Sequence, residues 1–309
     1  MLRLYDPRTR TVEDARPAHG RELRILAVAP AAGATPHLGL WRTWLLPDLI
    51  FRCAERRGLI ATTCEITVPA SGDGDTGGAG ETSGAADLGA QAAAQAAAPR
   101  ADREVLNIHP PTRIAPVAEP VERTVEFVTA GRPGQAAEGP PFDIGIGIGI
   151  GIGGGDGLAG RELARLVTAP AGAVTMDGRK VTADDADAPA VEDIAARGLD
   201  PLAVRLVFLS RPYREDADLS WETLFTAGTT LLRWRERVAE WANSPSGAMP
   251  RRYVDAVTEA FDDDLDTPRA LRELQALEAD GSVPDGAKFE AFAAMDRLFG
   301  LDLARDVGR

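Results

Sequence analysis

The sequence predicts an α/β protein in which a parallel sheet is followed by a carboxy-terminal bundle of α-helices. Three stretches predict it. Residues 22–58 read as a buried strand, a loop and a long amphipathic helix. Residues 144–153 alternate isoleucine with glycine, which fits an extended strand with its isoleucines on one face. Residues 198–309 carry apolar side chains at helical spacing.

In chain order, Leu23-Arg24-Ile25-Leu26-Ala27-Val28-Ala29-Pro30 is rich in branched apolar residues and reads as a buried parallel strand closed by Pro30 and Gly33. Trp41, Trp44, Leu45, Leu49, Ile50 and Cys53 then recur at helical spacing as far as Gly58, the expected terminator. His37 and Gly39 stand at the start of this helix, where unpaired backbone amides and a partial positive charge make a ready phosphate site. Leu59 to Val68 reads as a second strand with Ile60, Cys64, Ile66 and Val68 on one side.

Residues 70–101 have almost no large apolar side chains to offset the entropy of ordering and are expected to form a mobile insertion; within it, alanine-rich Gln91 to Ala98 favours helix. Order resumes at Val105, and a helical pattern runs through Val121, Val125 and Val128 to Gly131. His109, alone before Pro110-Pro111, reads as a turn residue, because a metal site needs several donors. The Ile-Gly run lacks the turn glycines and the later acidic residue of a dinucleotide fingerprint. Ala173 to Met176 reads as the last core strand, ending in the turn Asp177-Gly178-Arg179-Lys180.

In the last third, Asp200 is placed to cap a helix whose first position is Pro201. Trp221, Leu224, Phe225, Leu231, Leu232, Val238 and Trp241 put one broad apolar stripe on a long helix. Asp262-Asp263-Asp264 lack the glycine and late glutamate of a calcium loop. They read as a charged helix end, with Asp266 or Thr267 capping ahead of Pro268. A final helix covers Phe289 to Phe299.

Composition limits the function. At 309 residues and 44% hydrophobic the chain can bury a substantial core, and its length suggests one large domain plus a smaller one. A net charge of −13 without a basic tail disfavours a polyanionic partner such as tRNA, whose binding draws on Lys and Arg. Two cysteines, no secretory h-region and no apolar run of spanning length point to a reduced, cytoplasmic protein with no membrane partner. Neither Cys53 and Cys64 nor His19, His37 and His109 have metal-ligand spacing, so no metal site is expected and zinc is predicted absent. Both cysteines read as buried hydrophobes.

The order of motifs resembles cysteinyl-tRNA synthetases and their relative that ligates cysteine to an amino sugar in mycothiol synthesis. Leu2-Arg3-Leu4-Tyr5-Asp6, Arg24-Ile25-Leu26 and Pro36-His37-Leu38-Gly39-Leu40-Trp41-Arg42-Thr43 keep that family's spacing. Asn107 with Pro110-Pro111-Thr112, Phe142-Asp143-Ile144 with Gly153-Gly154-Gly155-Asp156, and Asp262-Asp263-Asp264 with Thr267-Pro268 match further stretches. The resemblance implies a class I synthetase Rossmann-like domain over 1–197, with the insertion near 70–101, and a bundle like the stem-contact domain over 198–309. The chain stops where the family's anticodon-binding domain would begin, as the mycothiol ligase does.

It also implies where ATP would be held. His37 and Gly39 match the first and third positions of the His-Ile-Gly-His signature, and Leu40 replaces its second histidine. Lys180 and Thr182 match the first lysine and first serine of the mobile Lys-Met-Ser-Lys-Ser loop, but Ala183 replaces the second lysine and Asp184 and Asp185 follow. Val28 replaces the first zinc-binding cysteine, and the helix Leu158 to Leu163 contains none of the family's histidines. Adenylation relies on electrostatic stabilisation of phosphate charge, and each lost contact of this kind costs about 2.7–4 kcal/mol. The resemblance therefore implies a degenerate paralogue with a residual ATP site at His37, Gly39, Lys180 and Thr182, for which no catalytic residue is assigned. It would bind a nucleotide or adenylate without charging cysteine onto tRNA. Two alternatives stay open: an ATP-dependent ligase joining another amino acid to a small amine, and a tRNA-binding accessory protein.

Overall fold

The computed structural model describes residues 1–18, 20–29, 37–67, 100–116, 142–146, 164–181 and 189–309. Outside these lie His19, the turn at Pro30 and Gly33, Val68, most of the insertion with its alanine-rich tract, the 121–131 helical pattern, the Ile-Gly run beyond Ile146, the 158–163 helix, and Thr182 to Asp185; the Val28 side chain also lies outside.

A short antiparallel hairpin of β1 (Arg3–Asp6) and β2 (Thr11–Asp14) precedes the main sheet. That sheet is built from β3 (Glu22–Ala29), β4 (Ile60–Thr67), β5 (Arg113–Pro116), β6 (Phe142–Ile146) and β7 (Ala164–Thr168). Its order is β5-β4-β3-β6-β7 and every pairing is parallel. The order changes direction at β3. In open parallel sheets ligands bind at such a point, beyond the carboxyl ends of the strands. Helix α1 (Leu38–Arg56) follows β3 and packs on the sheet. A six-residue helix, α2 (Arg100–Val105), precedes β5; its first two residues had been expected to belong to the insertion. Both α2 and β7 went unread in the sequence, being too short for periodicity to show.

Within β4, Cys64 and Ile66 are buried as expected, whereas Ile60 is 65% exposed. Ile60 is the first residue of the strand, opposite Glu22, and burial here depends on distance along the strand as much as on which face a residue occupies. The expectation for 173–176 also needs correction. β8 (Val174–Met176) is not part of the main sheet. It pairs in parallel with β10 (Ala217–Leu219) and antiparallel with the two-residue β9 (Arg179–Lys180) in a separate three-stranded sheet. Three apolar-rich residues cannot announce which of two sheets they will join.

The remaining helices are α3 (Val191–Ala196), α4 (Leu202–Leu209), α5 (Trp221–Trp241), α6 (Arg251–Asp262), α7 (Thr267–Ala279) and α8 (Asp285–Phe299). On α5 the buried residues are Leu224, Ala227, Leu231, Trp234, Arg235, Val238 and Trp241. The apolar ones alternate by three and four, so only one narrow seam faces the bundle. Phe225 and Leu232, each one residue past that seam, are 46% and 56% exposed rather than in the core. Asp266, not Thr267, caps α7 by accepting the Arg269 N–H at 3.0 Å. The Asp262-Asp263-Asp264 run ties segments together. Asp262 pairs with Arg57 and Asp263 with Arg3, while Asp264 accepts from the Tyr5 N–H at 2.8 Å and from Arg214 at 2.7 Å.

Candidate functional site

Helix α1 begins at the carboxyl end of β3. His37 is its N-cap, with extended backbone (φ −149°), and its Nδ1 accepts the Gly39 N–H at 3.2 Å. That bond leaves the ring proton of the neutral imidazole on Nε2, where it can be donated outward. Burial lowers the His37 pKa, which favours this neutral form. No acidic residue stands in the first turn to compete for the helix's partial positive charge.

Gly39 is where a second segment approaches. A Cβ placed there would lie 3.0 Å from the His37 ring and 3.7 Å from the Val181 carbonyl oxygen. Val181 follows Lys180 directly, so the β8–β9 hairpin comes alongside the start of α1. The structure thus brings together His37, Gly39 and the backbone next to Lys180. Lys180 itself is exposed on β9, opposite Thr175. Thr182 lies outside the described residues. Leu40 is 4% exposed and belongs to the core, so this position contributes packing and no hydrogen-bonding group.

Arg42 positions the two segments. It is buried on α1 and donates to the carbonyls of Gly172 (3.2 Å), Ala173 (3.1 Å) and Pro212 (3.1 Å), binding the strand that leads into the hairpin to the helix. Burial lowers its pKa to about 10, which still leaves it charged at neutral pH. Sequence reasoning noticed Arg42 only as part of a motif, since a single arginine on an apolar helix carries no signal that it will satisfy three carbonyls.

One turn and a half further on, Asp48 is wholly buried at the centre of a polar network. Its Oδ2 accepts from Arg52 (2.9 Å) and Arg205 (2.6 Å), and its Oδ1 from the His109 backbone N–H (3.0 Å) and ring Nδ1 (2.6 Å). Arg205 also donates to the carbonyls of Phe299, Leu106 and Asn107, joining α1, α4 and the end of α8. Burial pushes the Asp48 pKa up, but Arg205, the His109 hydrogen bond and Arg52 outweigh it and hold the carboxyl well below the usual range. His109 thus has a carboxylate partner that the sequence did not reveal. Nearby, Arg103 pairs with buried Glu65 at 2.7 Å and stacks 4.1 Å from the Trp44 ring.

Among the described residues no three or more His, Cys, Asp or Glu are grouped to hold a metal ion. Cys53 and Cys64 are both buried, one on α1 and one on β4, and burial raises the Cys53 thiol pKa, the reverse of what a metal-binding thiolate needs. No helix among the described residues is long and apolar enough to cross a membrane.

No protein-family model matches the chain. Among curated proteins, the L-cysteine:1D-myo-inositol 2-amino-2-deoxy-alpha-D-glucopyranoside ligase of Streptomyces griseus is 36% identical over 137 residues, covering 43% of this chain and 32% of that protein. The ligase of the same name from Micrococcus luteus is 37% identical over 113 residues, covering 37% of this chain and 26% of that protein. The chain matches about a third or less of the length of these relatives. Among solved structures, a Mycobacterium tuberculosis methionyl-tRNA synthetase bound by methionyl-adenylate superposes with a TM-score of 0.51 at 12% identity, covering 90% of this chain and 89% of that one. At that identity the likeness establishes the fold alone. The chain thus has the fold of the synthetase it superposes on, and curated proteins to which it is similar over part of its length are ligases of L-cysteine and an amino sugar.

Proposed function

We propose that this chain binds a nucleotide or an aminoacyl-adenylate at the start of α1 and does not activate cysteine. The approach of the Val181 carbonyl to Gly39 carries this reading, because exposed Lys180 directly precedes Val181 in the segment that runs alongside the start of α1. There the Nε2–H of His37 and the free amides of the first turn offer hydrogen bonds to phosphate oxygens, and Lys180 supplies a nearby cation. ATP, when bound, supplies the phosphoanhydride chemistry. The core position of Leu40 removes one of the family's phosphate donors, and Val28, with no metal-binding group, stands at the first zinc position. With no metal-ligating side chain at that position, the chain on this reading has no zinc with which to select a cysteine thiolate. Its net charge of −13 also argues against tRNA as the partner.

The names of the curated relatives favour a second reading. They are ligases of L-cysteine and an amino sugar, and the same scaffold with an altered pocket would join a different amino acid to a small amine. Thermal shift and pyrophosphate exchange separate the two. ATP at one hundred times its Kd should stabilise the fold by about 2.7 kcal/mol, His37→Ala should remove most of that stabilisation, and exchange should be silent with cysteine. Exchange with one other amino acid establishes the second reading. Cysteine-dependent exchange, or no thermal shift at millimolar ATP, overturns the first.

A further inference from the structure

A cleft of about 400 Å³ opens at the far end of the bundle, between the turn before α4, one face of α5 and the residues that follow α8. None of His37, Gly39 or Lys180 lines it. Its volume is within the range of small-molecule sites.

One wall is apolar. Leu199 and Leu231 form its base, and Phe225 and Leu232 stand along its edge. These last two are the side chains that fall off the buried seam of α5, and they remain 46% and 56% exposed. Gly228 lies between them on the helix, where a Cβ would meet Leu199 Cδ2 at 3.0 Å, so the missing side chain lets α5 close down on the turn.

The other wall is charged. Asp200 Oδ2 accepts from Arg235 at 2.6 Å and from Arg305 at 2.7 Å. Arg235 is buried and also donates to the carbonyls of Leu301 and Asp302. Arg305 is half-exposed, and Asp200 is its one side-chain partner among the described residues. Arg305 engages Asp200 through Nη1 alone, so its other guanidinium N–H groups remain as donors for an anion. An exposed guanidinium with donors to spare, in the same cleft as an exposed aromatic and leucine edge, matches a molecule with an apolar body and an anionic head.

We propose that this cleft binds a small amphipathic anion, its ring or chain against Phe225 and Leu232 and its carboxylate, sulfonate or phosphate head on Arg305. The test uses the full chain and anilinonaphthalene sulfonate as the probe, with uncharged phenylnaphthylamine as its neutral counterpart. The sulfonate should bind saturably, one per chain, and more tightly than the amine. Arg305→Gln should weaken it about tenfold, the effect of one charge-assisted hydrogen bond. Arg305→Lys should retain most of the affinity, and Leu232→Asp should abolish binding. Both positions are on the surface, and thermal melts establish that the variants fold. Naphthoate and naphthyl phosphate, as competitors, identify the preferred head group, and displacement by either supports the site. Excess ATP should leave the signal in place, which keeps this cleft distinct from the nucleotide site. The proposal is overturned by non-saturable binding, by equal affinity for the neutral amine, by displacement with ATP, by failure of both competitors, or by indifference to Arg305→Gln and Leu232→Asp.

Discussion

At Asp48 a carboxylate sits in the protein interior only because three groups converge on it: Arg205, Arg52 and His109. Removing Arg205 leaves the buried carboxylate with Arg52 and His109 alone to compensate it, and breaking a buried ion pair costs about 3–5 kcal/mol. Arg205→Ala should therefore lower stability by that amount in urea unfolding, whereas an exposed pair such as Arg237–Glu240 should matter little. The pH dependence follows from the depressed Asp48 pKa. Its folded value lies below the ordinary unfolded value of about 3.9, so its stabilising contribution is present above about pH 4 and is lost as pH falls toward the folded value. Buried Glu65 works in the opposite sense, because desolvation outweighs Arg103 and raises its pKa. Asp48→Asn should remove part of the acid-induced loss of stability, measured by urea midpoints between pH 6 and pH 3; an unchanged profile would count against a charged Asp48 in the native state.

Among elements, α5 shows how local chemistry sets a boundary. Ser220 accepts the Thr223 N–H at 3.1 Å, and Thr223 Oγ1 accepts the Ser220 N–H at 2.9 Å, satisfying two groups that the first turn leaves open. Ser220→Ala should cost about 1 kcal/mol, visible as a lower melting temperature with an unchanged denaturant slope, and Ser220→Asp should restore it. Much of this element was legible in advance, from its seven apolar positions. What the pattern could not supply was the width of the buried stripe, since Phe225 and Leu232 differ from Leu224 and Leu231 only in angle about the axis. Helix α1 carried a similar message: its length, His37 start and Gly58 end could be read, but not the pairing of Arg42 with Gly172 or of Asp48 with Arg205, 130 and 157 residues away.

For the whole molecule, most of the buried apolar side chains among the described residues form one cluster running from Leu2 through the sheet and α1 to Leu303 after α8. Arg205, Arg52 and Asn107 fasten the same region, and Asp262, Asp263 and Asp264 tie the bundle to α1 and the hairpin. A core shared in this way unfolds cooperatively. Calorimetry should show one transition whose van't Hoff and calorimetric enthalpies agree, and Arg205→Ala should lower it without splitting it. Two resolved transitions would mean that the regions on either side of residue 197 are energetically separate.

Sequence alone determined the α/β class, the parallel strand at β3, the helix that follows it, the apolar seam of the bundle and the side chains Val28, Leu40 and Ala183, which differ from the motifs it resembles. Those are local properties: periodicity, capping residues and the identity of a side chain at a motif position. Only the tertiary structure decided that β8 leaves the main sheet, that the Lys180 hairpin comes beside Gly39, that Asp48 is answered by Arg205, and that Phe225 and Leu232 face a charged cleft. Each of these depends on which distant segments meet, and such meetings are set by packing of the whole chain, to which no short window of residues refers.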